Sequence, residues 1–149
     1  MVRSLDKKLQ ECFDKGLLKN TVGQSDLAKK DLKQAEFFLK ESGELLDQDR
    51  KVIAALSLYN AFFHCARTLL FKDGIKERSH YCIARYLEQE YIQSKKIETV
   101  FLDAFETIMS IRHNAQYSTE EVKIEEDLTE LYNICEKFIR AVEALLDAV

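Results

Sequence analysis

The sequence predicts an all-α protein, an up-down bundle of four long helices plus a short N-terminal helix. Three observations predict it. The 149 residues contain no proline, so no position lacks the backbone donor that a helix interior needs. Apolar residues recur at steps of three and four over long stretches, the period of one helix face. Alternating apolar–polar runs flanking a turn dipeptide, the usual mark of strands, are missing. With 46% hydrophobic and 32% charged residues, the composition is that of a globular chain, long enough for one domain with a core.

The elements follow in order. A first helix is expected at 4–15, closed by Gly16, and residues 1–24 make a short N-terminal helix and loop. Residues 25–149 make the bundle. Ser25 is a suitable N-cap with Asp26 in the first turn, and the apolar row Ala28, Leu32, Ala35, Leu39, Ser42, Leu46 follows. Gly43 weakens the end of that helix by about 1 kcal/mol relative to alanine. Residues 51–72 read as a helix that is apolar almost all the way round, which places it at the centre. Asp73–Gly74 closes it. Ser79 caps a helix reaching about residue 90. The next spans about 95–116 with the row Ile97, Phe101, Ala104, Ile108, Ile111, Ala115. Ser118 and Glu121 match a capping box, which puts the start of the last helix there. Its row is Ile124, Leu128, Leu131, Cys135, Phe138, Val142, Leu145, Val149. Such rows are core-facing seams, and short connections make neighbouring helices antiparallel.

Composition excludes several roles. No run approaches the roughly 20 apolar residues needed to cross a bilayer, and the first 16 residues are too charged for a secretory signal. A cytoplasmic location is expected, with no membrane association. Cys12, Cys65, Cys82 and Cys135 are far apart, form no CxxC pair and fall among apolar positions, so all four read as core packing. His64, His80 and His113 have no metal-ligand spacing, and neither a metal nor a cofactor is expected. The net charge of −4 excludes attachment to nucleic acid by bulk charge, though not a local basic cleft.

Two irregularities carry the functional reading. Ser57, Asn60, His64 and Arg67 interrupt the central apolar helix at steps of three, four and three, so they share one face. Polar groups on a buried helix need partners or a cleft; the stripe is either the helix's solvated edge or a polar groove. Arg112 extends the apolar row of Phe101, Phe105 and Ile108, and it opens the run Arg112-His113-Asn114-Ala115-Gln116-Tyr117. That run is either a frayed polar helix end or a set of hydrogen-bonding groups gathered for a ligand. Ser79-His80 forms a third polar cluster.

In this combination the chain resembles the HEPN family, the higher eukaryotes and prokaryotes nucleotide-binding domains, and its small stand-alone prokaryotic members in particular. The resemblance rests on Tyr59-Asn60-Ala61-Phe62-Phe63-His64-Cys65-Ala66-Arg67, then Gly74, Ser79-His80, and Arg112 through Tyr117, and it extends over roughly 25–145. It implies a helical bundle, often a homodimer, whose polar residues converge on a cleft. Members that cut RNA without metal carry an arginine, usually a polar residue next, and a histidine after four to six intervening positions. Arg112-His113 is similar to the opening of that motif. Tyr117, Ser118 and Thr119 occupy the three places where its histidine would stand. A tyrosine with an ordinary pKa near 10 is a poor general base at neutrality. The resemblance further implies nucleotide or RNA binding, or pairing with a minimal nucleotidyltransferase in a toxin–antitoxin-like system.

The expected function is therefore binding a nucleotide, RNA or a nucleotidyltransferase partner, without catalysis. Asn60, His64, Arg67, His80, Arg112, His113, Asn114 and Tyr117 are the candidate binding residues, and no catalytic residue is assigned. The alternatives are a metal-independent ribonuclease with an atypical motif and a dimeric protein-interaction module.

Overall fold

A computed structural model of the protein describes residues 6–148; the expected roles of Ser4 and Val149 fall outside them. Helix α1 (Lys7–Asp14) leads to strand β1 (Leu18–Asn20), helix α2 (Ser25–Asp47) and helix α3 (Lys51–Asp73). Strand β2 (Ile75–Glu77), helix α4 (His80–Leu87), a π-helical turn (Glu88–Ile92), helix α5 (Thr99–Tyr117) and helix α6 (Leu128–Asp147) complete the chain. The protein is mostly helical, as the periodicity requires. Helix α3 packs against α2, α5 and α6, and α6 also meets α2 and α5.

The expected rows fill the core. Ala28, Leu32, Ala35, Leu39 and Ser42 of α2 are buried, as are Phe101, Ala104, Ile108 and Ile111 of α5 and Leu128, Leu131, Cys135, Phe138 and Val142 of α6. Phe62 of α3 lies between Phe105 and Phe138, with ring centroids 6.4 and 6.1 Å away. Burying each such ring contributes roughly 1.5–3 kcal/mol over leaving it exposed.

Five local expectations are corrected. The pair β1–β2 forms a small antiparallel sheet, with Leu18 opposite Glu77 and Asn20 opposite Ile75. Strands of three residues are too short to show alternation, and these two are far apart in the sequence. Helix α2 starts at Ser25, but Gln24 occupies the cap position and no side chain caps it. Helix α5 starts at Thr99 and not near residue 95, because Lys95 takes a left-handed backbone (φ 61°) that a helix does not admit. Ser118 ends α5 and does not open α6; its Oγ accepts from the Glu120 backbone N–H at 3.1 Å. Asp127 caps α6, accepting from the Glu130 backbone N–H at 3.1 Å. Between them Val122 and Ile124 are half-buried while Glu121, Lys123 and Glu125 are exposed, a period of two that marks extended chain.

The fifth correction concerns the cysteines. Cys65 and Cys135 are free and buried, as core packing predicts. Cys12 and Cys82 instead form a disulfide between α1 and α4, with Cα atoms 5.8 Å apart. A sequence separation of 70 residues hid this pairing, which depends on the spatial approach of the two Cβ vectors.

Two anchors fix the β2–α4 segment against the end of α3. Gly74 caps α3 in the left-handed region (φ 72°). A Cβ there would come 2.5 Å from the Thr21 carbonyl oxygen and 2.8 Å from the Gly23 nitrogen, so glycine is required twice over. The phenols of Tyr86 and Tyr91 both donate to Asp73 Oδ2, at 2.8 and 2.6 Å. Ser79 caps α4 as expected, accepting from the Cys82 backbone N–H.

Candidate functional site

The polar stripe of α3 faces α2 on one side and the β2–α4 junction on the other. Its first member, Ser57, donates to the Phe38 carbonyl of α2 at 2.9 Å. Next along, the His64 ring stacks on Phe38 with a centroid separation of 5.3 Å and places Nδ1 2.6 Å from Asp31 Oδ1. Arg67 donates to the same carboxylate from Nε and one terminal nitrogen, at 2.8 and 2.9 Å. Its other terminal nitrogen lies 3.7 Å from Glu77 Oε1 on β2. The guanidinium also lies over the Phe63 and Phe71 rings, 5.0 and 5.2 Å from their centroids.

Asp31 was not among the sequence candidates, yet it holds this network together. It is 4% exposed. Burial alone would raise its carboxyl, but hydrogen bonds from Arg67 and His64 and the Arg67 charge outweigh burial and hold it below the ordinary value. The Arg67 guanidinium is in turn pushed up, by the Asp31 hydrogen bond above all. Glu77 moves up instead, because burial there exceeds the help from Arg67. With two carboxylates on one guanidinium, little of its charge is left for an added anion. The signal for Asp31 was present: it lies three residues after Ala28 and four before Ala35, a core-facing position on α2.

A second group lies across the Phe63 ring. His80, the first residue of α4, has its ring 4.5 Å from Phe63 and is hydrogen-bonded through Nδ1 to the Tyr59 hydroxyl. Burial pushes the Tyr59 phenol up to about 12, so at neutral pH it keeps its proton and can serve His80 as a donor. Burial, and then the positive charges of Arg112 and Arg67, lower the His80 pKa and favour neutral imidazole. The Arg112 guanidinium caps the Tyr59 ring 4.9 Å from its centroid. Among the described residues it has no carboxylate partner. An unpaired guanidinium over an aromatic face, next to a neutral imidazole, can receive an anion and a planar ring together.

Phe38, His64, Phe63, His80 and Tyr59 therefore form a continuous aromatic strip, with Arg67 under its centre and Arg112 at one end. The strip brings together four of the candidates: His64, Arg67, His80 and Arg112. Asn60 lies on the same helix one turn before His64, half-buried. The other three sit outside the strip. His113 and Tyr117 meet at a tilt of 45° with centroids 4.9 Å apart, and they and Asn114 are exposed at the end of α5. Besides Asp31, sequence reasoning passed over Tyr59, Phe63 and Glu77 as site residues, because aromatic positions in an apolar helix read as core.

Among the described residues no group of three or more His, Cys, Asp or Glu side chains could hold a metal ion. No helix among the described residues is long and apolar enough to cross a membrane. A family model for the HEPN domain matches residues 28–145, and the chain belongs to the HEPN family. A comparison with curated proteins finds no matching relative.

Proposed function

We propose that this HEPN domain binds a single-stranded RNA or nucleotide on the aromatic strip and does not cleave it. The observation that carries the reading is Arg112, a guanidinium without a carboxylate partner among the described residues, seated over the buried Tyr59 ring at the end of a strip of half-buried aromatic rings. Phosphate goes to Arg112, and a base stacks on the half-buried aromatic edge; such stacking contributes about 1–3 kcal/mol per base. His113, Asn114 and Tyr117 extend the contact along α5. The binder would work as a cytoplasmic homodimer built on an up-down arrangement of its four long helices. Exposed Phe37 and Ile53 (53% and 48%) support a partner copy, and a minimal nucleotidyltransferase chain of a toxin–antitoxin-like pair fits the family.

A second reading, metal-independent ribonuclease activity, is favoured by one arrangement. With Asp31 ionised, His64 donates through Nδ1, so its Nε2 is left as a proton acceptor, the arrangement of an oriented general base. Against it stands the missing motif histidine: Tyr117 stands in its place, 66% exposed, and a phenol is a poor general base at neutrality. A labelled oligoribonucleotide incubated with the protein in EDTA tests both readings. Retarded but intact RNA is expected. Cleavage that disappears in Arg112→Ala and His64→Ala would overturn the non-catalytic reading, and absence of retardation would overturn binding.

A further inference from the structure

We propose that Cys12 and Cys82 are a reversible redox clasp that sets the placement of His80, and hence the state of the candidate binding site. The inference rests on the reading of His80 as part of that site. The N-terminal arm, α1 and β1, packs chiefly against α4 and β2. It grips the 75–92 segment at four points. The disulfide joins α1 to α4, β1 pairs with β2, the Arg78 backbone N–H donates to the Leu17 carbonyl at 2.8 Å, and the Asp6 N–H donates to Gln89 Oε1 at 2.5 Å. Glu77 and His80, which face Arg67 and Tyr59, lie inside this gripped segment. Cys82 is two residues from His80, and its backbone N–H makes the Ser79 cap that starts α4.

The position of the bond argues for a clasp. It joins two eight-residue helices and none of the four long ones, although both cysteines pack into the core that those long helices share with α1 and α4. The two cysteines on the long helices, Cys65 and Cys135, stay unpaired. In a reducing compartment, a pair joining two peripheral elements opens and closes with the thiol pool. Oxidation by a low-molecular-weight disulfide forms the Sγ–Sγ bond, breaks the incoming S–S bond and leaves two small-molecule thiols carrying the protons; a dithiol reductant reverses it. Both cysteines are buried (3% and 1% exposed), so exchange passes through lifting of α1, a short helix that only a few side chains hold.

Freed from α1, α4 keeps its tyrosine anchors at its far end but loses the tie at its first turn. His80 then gains solvent and separates from Tyr59. The test uses the full chain, oxidised with glutathione disulfide or reduced with dithiothreitol, and mass spectrometry counts the two hydrogens gained. Amide exchange in 16–20 and 78–84 is expected to accelerate about tenfold on reduction, while 52–71 stays unchanged. The NMR titration midpoint of His80 is expected to rise towards its ordinary 6.5. The Cys12→Ser/Cys82→Ser variant should match the reduced protein and ignore the redox buffer. Equal exchange and an equal His80 midpoint in both states would overturn the clasp, as would two free thiols after oxidation. Loosening of all four long helices together would also overturn it, since that marks a core staple. If an oligoribonucleotide binds neither state, the binding reading of the strip fails, and the exchange and His80 data still decide the clasp.

Discussion

Arg67 and Arg112 both lie against the same aromatic strip, at its centre and at one end, and each interrupts an apolar row, yet their surroundings differ. Arg67 meets a buried carboxylate on two nitrogens, a second carboxylate on a third and two phenyl faces. Arg112 meets one phenol face and no carboxylate among the described residues. The first is bound into the fold; the second is available. The residue type marked both positions, but only the partner separates scaffold from binding group.

The histidines divide in the same way. His64 is locked to Asp31 and Phe38, whereas His80 has no carboxylate on its ring and is held by the Tyr59 phenol, the Phe63 ring and the first turn of a short helix. On the proposed reading, one half of the strip is structural, and the other half responds to ligand and to the N-terminal arm.

The comparison breaks most visibly at Asp31. Asp31→Ala leaves a half-buried guanidinium and an imidazole without their acceptor, and unfolding by urea should show a loss of about 2–4 kcal/mol. Gly74→Ala comes next, since strain at a positive φ adds to the overlap with Thr21; a loss of at least about 1–2 kcal/mol is expected in the same assay.

Acid sensitivity sharpens the comparison. The folded His80 pKa lies below 6.5, so below that pH the unfolded chain takes up a proton that the folded chain refuses. Stability is lost as pH falls from 6.5 towards the folded value. Asp31 is depressed below 3.8; its contribution is complete above that value and disappears as pH falls through the folded pKa. Stability curves against pH should lose the upper step in His80→Gln and the lower one in Asp31→Asn. The smallest stability effect belongs to Arg112→Ala, about 0.5–1 kcal/mol for a half-buried cation over a ring.

Much of this architecture was legible in the sequence. The rows from Ala28 to Ser42, Phe101 to Ile111 and Leu128 to Val142 are the seams that the core uses, because a period near 3.6 survives folding unchanged. Illegible were the parts set by approach in space. Cys12 finds Cys82, and Leu18 finds Glu77, only after α3 has turned back at Gly74. The Ser118–Glu121 pattern satisfied a cap rule, yet the acidic, alternating segment after it favours extended chain. For the site, the pattern marked which residues were anomalous. It could not tell that Asp31 neutralises Arg67 and leaves Arg112 open, since complementary charges on different helices have no fixed spacing.

Salt titration of oligoribonucleotide binding, comparing wild type, Arg112→Ala and Arg67→Lys in EDTA, tests the division between the two arginines most directly. Arg112→Ala should weaken binding about tenfold and flatten the slope of log affinity against log salt by about one. Arg67→Lys, which keeps the charge beside Asp31, should stay within about twofold of wild type. A loss confined to the Arg67 variant, with Arg112→Ala binding as wild type does, would contradict the account.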